Sequence, residues 1–197
     1  MKPETLDEKV KRVLRDRIEV VPYDACWPLL FEEEKAYLLA MFPQDLIRRV
    51  EHFGSTSVPG LAAKPVIDML IEVSSLERTK VEIAQVLERK GYDYFWRASH
   101  GEEVPPFYAW FIKRNGRGER THHLHMVESH FEQWDRLLFR DYLRSHPEEA
   151  ARYQELKLSL CRQYGDDRIA YTRAKTGFIV ELTKRAQGRT QHAVRHM

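Results

Sequence analysis

The chain has 197 residues and a mass of 23.4 kDa; 43% of it is hydrophobic, 31% is charged, and 32 basic against 30 acidic side chains leave a net charge of +2. This is enough apolar material for one packed domain, and it excludes wholesale disorder, a globally basic nucleic-acid coat and a strongly acidic tail protein. Two cysteines, Cys26 and Cys161, exclude a disulfide framework and a Cys-rich zinc site. No apolar run approaches the ~18 residues of a membrane helix. The charged start MKPETLDEKVKRVLRDR lacks the apolar centre of a signal peptide. The expectation is a soluble, cytoplasmic protein without a membrane partner, and +2 offers no electrostatic footprint for nucleic acid.

In chain order, residues 4–15 read as a short polar helix and 17–23 as a strand ended by Pro22. Residues 25–41 form an amphipathic helix with Trp27, Leu30, Phe31, Leu38 and Met41 near helical spacing. Residues 46–53 are a strand running into a turn at Gly54. The nearly continuous apolar run 65–73 predicts a strand buried on both faces. Ser74 and Glu77 fit a capping box, Ile83, Val86 and Leu87 mark one helix face, and Gly91 supplies the left-handed stop. Three strand-like segments follow (92–96, 107–114 and 120–128), with a hairpin signal at Asn115-Gly116-Arg117-Gly118 between the last two.

From residue 131 the pattern turns helical. Pro147 suits a first helical position, and Tyr153, Leu156, Leu160 and Tyr164 recur at helical offsets before Gly165. Asp166 or Asp167 then caps a helix to about Arg185. Residues 1–16 read as a polar extension, 17–187 as one domain with a helical part from about 131, and 188–197 as a disordered tail. The fold class is α+β or mixed α/β.

Four constellations could carry chemistry. In the first, Gly54 is followed by Ser55, Thr56 and Ser57 at the start of a short helix, where outward N–H groups and hydroxyls suit phosphate; plain capping of a helix produces the same pattern. In the second, Asp68 sits inside an apolar strand, where a carboxylate needs a metal or a buried basic partner. Glu72 shares its face but lies ~13 Å along the strand, too far to share one ion. In the third, His123 and His125 alternate onto one strand face, as a metal-ligand pair or as hydrogen-bonded structural imidazoles. In the fourth, Arg140 with Arg144 and Tyr171 with Lys175 repeat an i, i+4 spacing that suits either a triphosphate-facing cleft or a solvated helix face.

Together these segments resemble one family. HFGSTSVPGLAAKPVIDMLIEV is similar to the GrpB signature, in which a G-S-T-S-V-P-G-L segment precedes K-P-x-I-D, and RTHHLHMV, LLFRDYLRSHP, YQELK and DDRIAYTRAKTGFI resemble its remaining blocks, from about Ile18 to Lys184. The resemblance implies a nucleotidyltransferase-like fold of the DNA polymerase β type: a mixed β-sheet with helices packed on it and a C-terminal helical part. It implies that Gly54 and Ser55 correspond to a phosphate-holding Gly-Ser pair and Asp68 to the first carboxylate of an Asp-x-Asp/Glu metal pair. The chain departs at position 70, where Leu70 replaces the second carboxylate.

The expected remedy is a single-ion site of Asp68, His123 and His125, softer than the all-oxygen set of Mg²⁺ and favouring Mn²⁺ or Zn²⁺. Gly54, Ser55, Thr56, Ser57, Lys64, Arg140, Tyr171 and Lys175 are then the expected nucleotide- and phosphate-binding residues. The expected partner is a nucleoside triphosphate or another phosphate-bearing small molecule. Nucleotidyl transfer to an unnamed acceptor is the first functional expectation. A nucleotide-binding module without catalysis and a metal-dependent phosphoester hydrolase are the alternatives.

Overall fold

In a computed structural model of the chain, which describes residues 4–99 and 104–195, a five-stranded sheet has the order β1-β2-β5-β4-β3. The strands are β1 (Ile47–Phe53), β2 (Ile67–Val73), β3 (Asp93–Ala98), β4 (Phe107–Arg114) and β5 (Arg120–Val127). β1 pairs antiparallel with β2, opposing Phe53 to Asp68. β2 pairs in parallel with β5, opposing Asp68 to His123 and Leu70 to His125. β4 is antiparallel to both β5 and β3.

The apolar run expected for a doubly buried strand is β2. Ile67, Met69, Ile71 and Val73 face a core shared with Trp27, Phe31 and Leu38 of α2 (Trp27–Met41). α3 (Leu76–Arg78) passes through a π turn (Thr79–Ile83) into α4 (Ala84–Arg89), and the buried Ile83 and Leu87 close that side. The opposite face puts Leu70 among Phe53, Phe95, Tyr108, Trp110, Ile112, Val127 and Leu137. Because side chains alternate along a strand, Asp68, His123 and His125 belong to this second face.

α1 (Leu6–Arg15), held by a Thr5–Glu8 capping box, docks on that face through buried Val13 and a bidentate Arg12–Asp93 pair (2.9 and 2.7 Å). The polar helix expected at 4–15 is thus α1, packed against the sheet. Residues 17–23 form no strand: Val21 makes one isolated bridge to Ala63. The cap of α3 is Ser75 rather than Ser74; its hydroxyl accepts from Arg78 N–H.

The C-terminal part comprises α5 (Arg136–Ser145), α6 (Pro147–Tyr164) and α7 (Arg168–Arg195). Asp167 caps α7 by accepting from the Ile169 and Ala170 amides. α7 runs to Arg195, past residue 188 where the sequence reads disorder; residues 196–197 lie outside the described chain. Leu143, Tyr153 and Leu182 pack on Val58 and Leu61. Arg144 donates to the Ser57 carbonyl at 2.8 and 3.1 Å, and Lys157 donates to the Ala62 carbonyl. The helices thus clamp the segment between β1 and β2. No helix among the described residues is long and apolar enough to cross a membrane.

Candidate metal and phosphate site

The bend after β1 turns at Gly54, whose φ of +73° is left-handed. Ser55–Ser57 then form a single 3-10 turn, shorter than the dipole-bearing helix the sequence suggests. The Ser57 hydroxyl donates back to the Gly54 carbonyl at 2.6 Å. The Thr56 hydroxyl donates to the Val66 carbonyl (3.4 Å) and accepts from His52 Nε2 (3.0 Å). Both side chains are buried, so Thr56 and Ser57 build the bend instead of offering hydroxyls to a ligand. Ser55 stays partly exposed with its hydroxyl against the Tyr153 phenol. Of the expected hydroxyl donors, it is the one that is not buried.

Asp68 Oδ1 accepts a 3.0 Å hydrogen bond from His123 Nδ1. Arg120 Nη1 lies 3.3 Å from His123 Nε2 and can only donate, which assigns the imidazole proton to Nδ1. The Asp68 side chain keeps 27% of its exposure. Burial pushes Asp68 upward, but the His123 bond and the Lys64 ammonium outweigh it and hold the carboxyl well below its usual range. Burial drives His125 far below an ordinary histidine, with the Arg136 charge adding to it. Burial likewise lowers His123 against the pull of Asp68. The cluster therefore presents one carboxylate and two neutral imidazoles, of which His125 has an open Nδ1; His123 can offer Nδ1 to a metal only once the proton shared with Asp68 moves to Nε2 and Arg120 turns aside.

One ligand atom from each of Asp68, His123 and His125 lies within 4.8 Å of the other two. Ligands ~2.1 Å from a common ion and about 90° apart stand about 3 Å from each other, the same spacing that the Asp68–His123 hydrogen bond now sets. His125 Nδ1 is buried without a hydrogen-bond partner, as an unused ligand atom would be. The donor set fits a divalent ion.

Cations surround the cluster. Burial lowers Lys64 to about 7, helped by the Lys175 and Arg168 charges. Burial lowers Lys175 to about 8, against the attraction of Asp68. The two residues lie partly exposed, and neighbouring atoms and cations disfavour their protonated forms. Arg168 contributes a buried Nε without a partner. Tyr171 is packed with Ile18 and Leu160 under the lysines, 4.5 Å from Lys175 Nζ and 6.0 Å from Lys64 Nζ. It is a floor for these cations, with its ring rather than its hydroxyl engaged.

Arg140 does not join this wall. Its guanidinium bonds Glu51 (2.8 Å), Asp141 (2.7 Å) and the His52 carbonyl (2.9 Å), so the expected phosphate contact is a structural tie to β1. Residues missed in the sequence are Tyr153, Arg168 and Arg136. Arg168 was findable, since positions 168, 171 and 175 share one helix face. Two surface cavities, about 880 and 440 Å³, are lined by residues 17–20 with the end of α6 and by residues 58–61 with α5 and α6; neither contains the Asp68 cluster.

A family model described as GrpB protein matches residues 17–185. A UPF0157 protein of Pseudomonas aeruginosa is 41% identical over 186 residues, covering 90% of this chain and 71% of that protein. The glutamate-rich protein GrpB of Alkalihalophilus pseudofirmus is 32% identical over 172 residues, covering 86% and 96%. The crystal structure of conserved protein GrpB from Enterococcus faecalis superposes with a TM-score of 0.75 and 34% identity over 88% of this chain and 99% of that one. Terminal uridylyl transferase 4 of Trypanosoma brucei with bound CTP reaches a TM-score of 0.46 at 16% identity, covering 94% of this chain and 55% of that one, a likeness too loose to bear on fold or activity. By the extent of the family match and the identity to its members, this chain belongs to the GrpB family.

Proposed function

We propose that this protein transfers a nucleotidyl group from a nucleoside triphosphate to an acceptor, using a divalent ion held by Asp68, His123 and His125. The observation that carries the reading is the convergence of those three ligand atoms within 4.8 Å, with Lys64, Lys175 and Arg168 close enough to act on Asp68. When bound, the ion supplies Lewis-acid polarisation of phosphoryl oxygens. Gly54 lets the backbone approach without a side chain, and Ser55 offers a hydroxyl. Lys64, Lys175 and Arg168 neutralise triphosphate charge, and Arg120, which meets His123 Nε2 before an ion binds, turns aside when that nitrogen takes the proton.

The test is pyrophosphate release from a nucleoside triphosphate with Mn²⁺. Asp68→Asn keeps the shape and removes the charge, and it should lower the rate by about a hundredfold or more. Undiminished release in that variant removes the assignment.

A second reading has its own observation. Leu70 is fully buried in the apolar cluster at the place of the second carboxylate, which favours a nucleotide-binding module that performs no transfer. Calorimetry that shows triphosphate binding, with no pyrophosphate released on any acceptor, selects it.

A further inference from the structure

The sheet face that carries the candidate metal ligands continues past them into β4 and β3. His125 opposes Trp110 on β4, and Trp110 opposes Phe95 on β3; the next pair on that face is Tyr108 with Arg97. Tyr108 stacks on His125 at 5.6 Å, and Phe53 meets the same imidazole edge-on at 5.2 Å. Arg97 lies 4.7 Å over the Trp110 ring, and Arg136, at the start of α5, lies 5.7 Å from the Phe53 ring. Two guanidiniums therefore flank the imidazole that is poised as a ligand.

Neither guanidinium forms a salt bridge among the described residues, whereas Arg12, Arg114, Arg120 and Arg140 all do. Both guanidiniums are exposed; neighbouring atoms lower the Arg136 pKa, against the pull of Tyr108, Asp68 and Glu132. Beside them the Trp110 indole N–H is buried with no partner. Being buried, that indole N–H costs free energy until an acceptor arrives, and the two exposed guanidiniums bring positive charge to the same place.

The position along the strands matters as much as the charge. Lys64 and Arg120 stand at the starting ends of the parallel pair β2 and β5. Tyr108, Arg97 and Arg136 stand toward the far end of β5. His123 and His125 lie between these two cationic groups.

From this arrangement we infer that Arg97, Trp110 and Arg136 form the acceptor subsite, and that the acceptor is a small molecule bearing a phosphate or carboxylate group. Its role as acceptor rests on the nucleotidyl-transfer reading; the anion site itself rests only on the geometry. A nucleobase fits less well, because the Trp110 ring is already met by Arg97, Phe95 and His123 and presents its N–H rather than an open face. A nucleic-acid strand needs a longer cationic track than two arginines supply.

The test is calorimetry on the full chain with Mn²⁺ and α,β-methylene ATP bound, titrated with glycerol 3-phosphate, glycerate and glycerol. A charged probe should bind without displacing the nucleotide and glycerol should not; the tighter of the two charged probes decides between phosphate and carboxylate. Arg97→Gln and Arg136→Gln should each weaken that binding about tenfold or more and leave nucleotide affinity within about twofold. Trp110→Phe, which keeps the ring and removes the N–H, should weaken it less. The inference is overturned if neither charged probe binds, if a charged probe displaces the nucleotide, or if both arginine variants bind like the parent. Intact pyrophosphate release with arginine-independent anion binding defeats this inference alone. Arginine-dependent anion binding with no pyrophosphate release defeats the transfer reading alone.

Discussion

A β-carbon on Gly54 would stand 2.6 Å from Asp68 Oδ2, closer than real contacts allow. The glycine thus answers two demands, a left-handed φ of +73° and room for the carboxylate across the β1–β2 pair. Gly54→Ala should cost about 1–2 kcal/mol of stability from backbone strain. It should also weaken Mn²⁺ binding about tenfold by displacing Asp68. Urea denaturation and metal titration read the two effects separately; an alanine variant that binds Mn²⁺ like the parent would show that Asp68 is not a ligand.

Leu70 invites restoration of the second carboxylate, and its surroundings oppose it. The side chain is fully buried among Phe53, Trp110, Ile112 and Val127. Leu70→Asp should lose about 3–5 kcal/mol, the cost of an uncompensated charge in an apolar core. A variant that stays within about 1 kcal/mol of the parent and gains a second Mn²⁺ site would mean that the cluster tolerates the two-carboxylate arrangement.

His125 separates function from stability. With Nδ1 unpartnered and the ring held between Tyr108 and Phe53, His125→Phe keeps the aromatic packing and removes an unsatisfied group. Stability should hold or rise slightly, while Mn²⁺ affinity falls about a hundredfold. A drop in melting temperature with unchanged metal affinity would make the histidine structural.

The lysines set a pH dependence. Burial brings Lys64 and Lys157 to about 7 and Lys175 to about 8, from an ordinary 10.5. The folded chain therefore holds these protons less tightly than the unfolded chain. Their contribution to stability is full above 10.5 and is lost as the pH falls toward 7. A polyanion beside Lys64 and Lys175 favours their charged forms, so triphosphate binding at a pH near 8 should take up protons. Calorimetry in buffers of different ionisation enthalpy measures that uptake. None at all would remove the two lysines from phosphate contact.

What could be read without coordinates was local. Alternation along 65–73 and 120–127 assigned Asp68, His123 and His125 to strand faces, and Gly91 and the Asn115–Gly118 turn marked ends that the structure keeps. What pairs with what was not readable, because the partners are remote. Asp68 and His123 are 55 residues apart, and nothing in either strand states that they are neighbours. The i, i+4 spacing of Arg140 with Arg144 is the same whether a helix face meets solvent, ligand or protein. Its actual partner, Glu51, lies 89 residues away. Strand composition at 17–23 likewise says nothing about whether an edge is free to receive it, and here one bridge to Ala63 is all that forms. Tyr153 follows the apolar rhythm of α6, and only the fold turns its hydroxyl toward Ser55.

The parallel seam between β2 and β5 has a consequence for assembly. Asp68 rides on the antiparallel β1–β2 pair, and the two histidines ride on a β3–β4–β5 meander, so the cluster exists only where the β2–β5 seam is closed. Nonlocal parallel pairing closes late and slowly. Whatever occupies the cluster therefore acts as a rivet across the joint, and its imprint should be sharpest as retarded amide exchange on either side of that joint, with the outer strands little changed.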